Sequence, residues 1–139
     1  MAAAAGTGAA GLPVRPGEKP WTEAELKKVR QQLESDIAGL LADINEAESA
    51  IAERLGDAAV DAGDDTADAG AKTYEREHEL ALTENARELL ALSERALARM
   101  DDGSFGVCES CGKPIGKARL QAFPRATLCV TCKQREERR

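Results

Sequence analysis

Leu26, Leu33, Leu40 and Ala47 recur every seven residues, with Ile37, Ile44 and Ile51 interleaved. Apolar side chains spaced alternately by three and four residues form a narrow stripe along an α-helix, the seam of a coiled coil. The helix has a readable start. Thr22 followed by Glu25 is a capping box, in which hydroxyl and carboxylate satisfy backbone donors reciprocally, and Trp21 with Leu26 has the spacing of a hydrophobic staple. The pattern runs to Leu55, and Gly56 reads as its stop; at 1.5 Å per residue the helix reaches about 50 Å. A second helix is predicted over about 68–100, with apolar positions at His78 or Ala81, Leu82, Ala86, Leu89, Leu92 or Ser93, Ala96, Leu97 and Met100. Asp101-Asp102-Gly103 ends it, the glycine supplying a left-handed residue. Two narrow-seamed helices joined by a short polar loop are expected to fold back as an antiparallel coiled-coil hairpin. Pairing of each helix with another chain is the alternative.

The segments flanking these helices differ in kind. Residues 1–20 are rich in Ala and Gly, with Pro13, Pro16 and Pro20 too closely spaced for a helix, and read as a disordered tail without chemistry of its own. The loop between the helices holds five aspartates, at 57, 61, 64, 65 and 68. Asp64 or Asp65 as an N-cap and Asp68 near the positive end of the helix dipole account for one or two of them, not five. The ligand pattern of a calcium loop is absent, although an acidic tip also suits magnesium. Surplus negative charge at the end of a long hairpin reads as a group presented to a partner.

Cys108-Glu-Ser-Cys111 and Cys129-Val-Thr-Cys132 form two C-x2-C pairs separated by seventeen residues. Each spacer lets both sulfurs bind one metal at about 2.3 Å, and two such pairs match a closed four-thiolate zinc site. One structural Zn²⁺ held by Cys108, Cys111, Cys129 and Cys132 is therefore expected. Gly112 gives the tight turn after the first pair, and Lys113, Lys117 or Lys133 would offset the formal −2 of the centre. Residues 102–139 carry few sizeable apolar side chains, so the metal supplies folding free energy that a core of that size cannot. A closed site has no open coordination position for catalysis.

Composition narrows the functional classes. The chain has 139 residues, 25 acidic against 19 basic, a net charge of −6 and four aromatics. That is the make-up of helices rather than of a large enzyme core. No catalytic motif is present, and the one histidine, His78, is placed in or beside the seam, so the protein is read as not an enzyme. No apolar run is long enough for a membrane span. The start lacks the features of a signal peptide, and a reducing cytoplasm is expected. Net acidity argues against coating nucleic acid. The charge is partitioned, however: residues 45–101 carry fifteen acidic and six basic side chains, and 102–139 four acidic and eight basic. Lys133-Gln-Arg-Glu-Glu-Arg-Arg reads as a solvated C-terminal helix.

The stretch from Asp102-Gly-Ser-Phe-Gly-Val-Cys108 through Cys111-Gly-Lys-Pro-Ile and Arg119-Leu-Gln-Ala-Phe-Pro to Cys132 resembles the zinc-finger signature of the DksA/TraR family of bacterial transcription factors. The resemblance covers about residues 21–136. It implies binding to RNA polymerase rather than to DNA, insertion of the coiled coil into the secondary channel, and a change in open-complex stability. It also implies a link to the stringent-response alarmone guanosine tetraphosphate. The family's tip, Asp-x-x-Asp-x-Ala, is matched by Asp65-Thr-Ala-Asp68-Ala-Gly70, with both acids kept and the alanine replaced. The family's basic alarmone positions fall here on Asn85, Leu92, Phe123 and Lys133, and only Lys133 keeps its charge. Alarmone binding is therefore expected to be weak or absent.

The whole reads as a mainly α protein: a tail over 1–20, a coiled-coil hairpin over 21–101 with an acidic tip at about 57–70, and a four-cysteine zinc-finger module with a C-terminal helix over 102–139. A monomer is expected, with no sequence-specific DNA contact. The competing reading is a zinc-ribbon adaptor or nucleic-acid-binding module in which the coiled coil acts as spacer or dimeriser.

Overall fold

The structure, a computed structural model, describes residues 9–60 and 66–138, with the backbone alone for residues 10, 54–60 and 66–69. Two long helices dominate: α1 spans Glu23–Val60 and α2 spans Thr66–Asp102. Two short ones follow, α3 over Lys117–Ala122 and α4 over Val130–Glu137, and among the described residues there is no strand. The capping box is formed: the Thr22 backbone N–H donates to Glu25 Oε1 at 2.9 Å, and the Glu25 N–H donates to Thr22 Oγ1 at 3.1 Å. Gly103, at φ 81°, takes up the left-handed conformation just beyond α2.

Three boundaries and faces differ from the sequence reading. α1 does not stop at Gly56 but continues to Val60, because an interior glycine costs only about 1 kcal/mol and Ala58 and Ala59 follow it. α2 starts at Thr66, two residues earlier than expected. The seam of α1 holds as read, with Leu33 and Ile44 buried and Ile37, Leu40, Ala47 and Ile51 half-buried. The seam of α2 is displaced in its first half: Arg76, Glu79, Thr83 and Ala86 turn inward, while His78, Ala81 and Leu82 are exposed. Thr83 tolerates burial because its Oγ1 donates to the Glu79 carbonyl oxygen at 2.9 Å.

Contacts divide the chain into two compact units, residues 36–91 and a unit made of residues 1–35 with 92–139. In the first, α1 and α2 run antiparallel and Arg87 of α2 pairs with Glu48 of α1. In the second, the start of α1 lies beside the end of α2, with Arg30 Nη2 2.7 Å from Asp101 Oδ1. Here Val29, Leu33 and Ala96 share a core with Trp21, Phe105, Ile115 and Leu120. The Trp21 and Phe105 rings meet at 6.0 Å between centroids, tilted by 58°, a favourable aromatic geometry.

That core corrects the reading of residues 1–20 where the structure describes them. Ala9 and Leu12 are buried in it, and Ala9–Gly11 forms a single 3-10 turn. Glu18 then accepts from the backbone N–H groups of Lys117 at 3.0 Å and Ala118 at 3.1 Å, the first donors of α3, and from that of Arg15 at 2.8 Å. The prolines prevent a helix but suit an extended strap. Ala9 and Leu12, Val14 packed against the same core, the Glu18 carboxylate, and a bond from Lys117 Nζ to the Pro20 carbonyl at 3.3 Å fasten it.

Candidate metal centre

The four cysteines come from two knuckles of different construction. Cys108 and Cys111 flank a tight turn, in which the Gly112 N–H donates to the Cys108 carbonyl at 3.0 Å and the Cys108 N–H to the Lys113 carbonyl at 2.9 Å. Gly112 sits at φ 76°, a conformation that a Cβ disfavours. An isolated bridge between Val107 and Pro114 closes the turn behind it, and the Glu109 N–H ties it to the Thr127 carbonyl at 2.9 Å. Cys129 is the N-cap of α4 and Cys132 lies in that helix's first turn. A loop supplies one pair and a helix N-terminus the other.

All four sulfurs lie within 4.8 Å of one another, and Cys111 Sγ is 3.8 Å from Cys129 Sγ. Metal–sulfur bonds of about 2.3 Å at tetrahedral angles place sulfurs roughly 3.8 Å apart, so the donor set and its size fit one zinc ion. The acidities point the same way. Burial pushes the Cys108 thiol up, but backbone N–H groups of Cys111, Cys129 and Ser110 outweigh it and hold the thiol down to about 6. The backbone N–H of Cys132 lowers Cys129 in the same manner. The Ser110 hydroxyl favours ionisation of Cys132, yet Cys129, burial and the other two sulfurs drive its thiol up to about 12. Sulfurs packed this closely cannot all ionise alone, and a divalent cation among them removes the conflict.

The cations around the centre are not quite those expected. Lys113, Arg15 and Arg135 line a cavity of about 420 Å³ whose wall includes Cys111, Cys129 and Cys132. Arg15 escaped the sequence reading because the strap that carries it was read as tail. Lys117 is engaged elsewhere, 2.6 Å from Glu25 Oε1 and 5.9 Å from the Trp21 ring centroid.

A second surface groove, about 620 Å³, brings together Leu92, Phe123 and Lys133, three of the four positions singled out for the alarmone. Arg119 and Arg125 line it too, and neither was among the alarmone positions matched from the sequence. Arg119 stacks over Phe123 at 5.7 Å and donates through Nε to the Leu128 carbonyl at 3.2 Å. Lys133 lies 4.0 Å from Glu137. Of the expected tip acids, Asp65 lies outside the described residues, and Asp68 is described only as backbone within α2. No helix among the described residues is long and apolar enough to cross a membrane.

With this geometry in hand, comparisons with known proteins are specific. The family profile described as "Prokaryotic dksA/traR C4-type zinc finger" matches residues 103–138. The chain is 44% identical over 75 residues to the RNA polymerase-binding transcription factor DksA of Caulobacter vibrioides, a match covering 54% of this chain and 53% of that protein. It thus spans about half the length of that curated relative. It is 33% identical over 119 residues to the protein of the same name from Escherichia coli K12, covering 86% of this chain and 76% of the relative. Among solved structures, transcription factor DksA2 from Pseudomonas aeruginosa superposes with a TM-score of 0.66 at 31% identity, covering 84% of this chain and 85% of that one. A helical hairpin, a four-thiolate centre sized for zinc and likeness across both parts lead to one conclusion: the chain belongs to the DksA/TraR family, and its C4-type finger carries one structural zinc.

Proposed function

We propose that this protein is an RNA polymerase-binding transcription regulator that enters the secondary channel with its hairpin and alters open-complex stability through Asp65 and Asp68. The likeness to relatives named as RNA polymerase-binding transcription factors, extending over 76% of one of them, carries the reading. In this account Cys108, Cys111, Cys129 and Cys132 hold the zinc as a closed, non-catalytic centre. The protein is then an effector and not an enzyme. It acts in the cytoplasm as a monomer and makes no sequence-specific DNA contact. Its net acidity, unsuited to DNA, suits a protein partner with basic channels.

Guanosine tetraphosphate binds weakly or not at all in this reading. Leu92 and Phe123 offer a phosphate no charge; of the groove's cations Arg119 is already bonded and stacked, Lys133 lies 4.0 Å from Glu137, and Arg125 is not at a position matched to the family's alarmone site. Titration of the nucleotide into the polymerase complex, with Lys133→Ala as control, tests this; tight binding that depends on Lys133 would refute it.

The decisive experiment on the main reading is the pair Asp65→Asn with Asp68→Asn. The variant is expected to bind polymerase yet leave open-complex lifetime unchanged from that of polymerase alone. A crosslinker at position 68 is expected to reach the active-site region. If neither binding nor transcription depends on these two positions, the hairpin is a spacer and the adaptor reading takes over.

A further inference from the structure

Within the 36–91 unit, the first half of α2 distributes its side chains unusually. At about 100° per residue, Ala71, Tyr74, His78, Ala81, Leu82 and Asn85 share one face, and no charged residue falls inside it. All six are exposed, Tyr74 at 72% and Leu82 at 57%. The side turned to α1 carries Arg76, Glu79, Thr83 and Ala86. The helix thus places a tyrosine and a leucine in solvent while a glutamate and a threonine occupy its seam. In a chain that is 32% charged, an uncharged face of this length is not ordinary solvated surface; contiguous exposed apolar patches mark interaction sites.

The charges bordering the face all have one sign. Glu75 runs along one edge and Glu77 and Glu88 along the other, whereas Lys72, Arg76 and Arg87 lie on the seam side. Arg87 is held there by Glu48. This arrangement discriminates between occupants. A second copy of the chain, paired face to face about a two-fold axis, would bring acidic margins against acidic margins in either strand direction. A surface with an apolar recess rimmed by Lys or Arg would complement both the centre and the edges.

We propose that the Tyr74–His78–Leu82 face is a docking surface that seats against an apolar, basic-rimmed recess on RNA polymerase; this rests on the polymerase-binding reading above. Tyr74 and Leu82 supply the desolvated centre of the contact, and Glu75, Glu77 and Glu88 steer the approach. The face contributes affinity, as distinct from the effect on open complexes assigned to Asp65 and Asp68.

The test uses the full-length, zinc-loaded protein and RNA polymerase from the same source, with affinity measured by competition binding. The pair Tyr74→Ser with Leu82→Asn is expected to raise Kd at least about tenfold, with zinc content and helicity unchanged because both side chains are exposed. Leu82→Met, which keeps an apolar side chain, is expected to hold Kd within about twofold of wild type. Glu77→Gln with Glu88→Gln is expected to flatten the salt dependence of association. If the wild type binds and the Tyr74/Leu82 pair binds equally well, the face is not the docking surface, while the polymerase reading survives. If the wild type does not bind, both fall. If the wild type self-associates and the pair abolishes this without touching polymerase affinity, the face belongs to a second copy and the proposal is overturned.

Discussion

Leu33 and Ile44 occupy the same seam of α1, eleven residues apart, yet they sit in very different company. Leu33 is fully enclosed in a core that also holds Trp21, Phe105, Ile115 and Leu120, drawn from a strap, two long helices and the zinc finger. Ile44, also buried, lies in the 36–91 unit and outside that core. One unit gathers several layers around a metal-held knuckle. The other is two helices deep, and two helices cannot enclose much. What the second unit loses in burial it gains in surface: most of its positions face water and are free to encode contacts with another molecule.

The contrast predicts where each unit breaks. The largest effect is expected on metal removal. Chelation, or Cys132→Ser, withdraws a contribution of order 10 kcal/mol from the finger-bearing unit. Trp21, the only tryptophan and buried against Phe105, is expected to shift its emission to longer wavelength, while much of the helical signal stays. Unchanged Trp21 emission in metal-free protein would erase the distinction. Next, Leu33→Ala is expected to cost about 2–5 kcal/mol and Ile44→Ala to fall at or below the low end of that range. Urea titrations of the two variants compare them directly, and equal losses would mean that the second unit is as well packed as the first.

Polar fastenings sharpen the same contrast at smaller scale. Glu18→Ala frees the strap from two backbone donors of α3, breaks a third bond within the strap to Arg15 and is expected to lower stability by about 1–2 kcal/mol, with faster proteolysis before Trp21. Arg87→Ala removes a half-exposed ion pair from the other unit and is expected to cost less than about 1 kcal/mol. The reverse order would show that the strap is loosely held.

The smallest effect is a pH dependence. Lys117 and the Thr22 backbone N–H hold the Glu25 carboxyl down to about 2, from an ordinary 4.5. A carboxyl depressed in the folded state stabilises above its unfolded pKa, and that contribution fades as pH falls from about 4.5 towards 2. The stability gap between wild type and Glu25→Gln is therefore expected to be flat near neutrality and to narrow below pH 4.5. A gap that widens on acidification would contradict the assignment.

How much of this could be read from the amino acids alone depended on how local each feature is. The capping box at Thr22 and Glu25 is a four-residue matter and forms as read. The two C-x2-C pairs carry their geometry in their spacing, and the four sulfurs come together as that spacing requires. The seam of α1 is spelled by leucine and isoleucine. The seam of α2 is not, since hydrophobicity points to Leu82 while packing selects Thr83; the face bearing Tyr74 and Leu82 misleads the reader because its apolar residues do not serve the fold. The strap was illegible for another reason. Ala9, Leu12 and Glu18 show no periodicity, and the α3 donors that Glu18 binds lie about a hundred residues away along the chain.

That separation has a consequence for synthesis. Glu18 meets the backbone of Lys117 across ninety-nine residues, so a growing chain emerges from the ribosome with its strap bare and nothing to receive it. The strap can dock only after the finger has been made, since the donors it satisfies belong to α3. Chains broken off before that point keep an extended, unprotected leader, which cellular proteases cleave readily. A segment made early thus closes over one made about a hundred residues later.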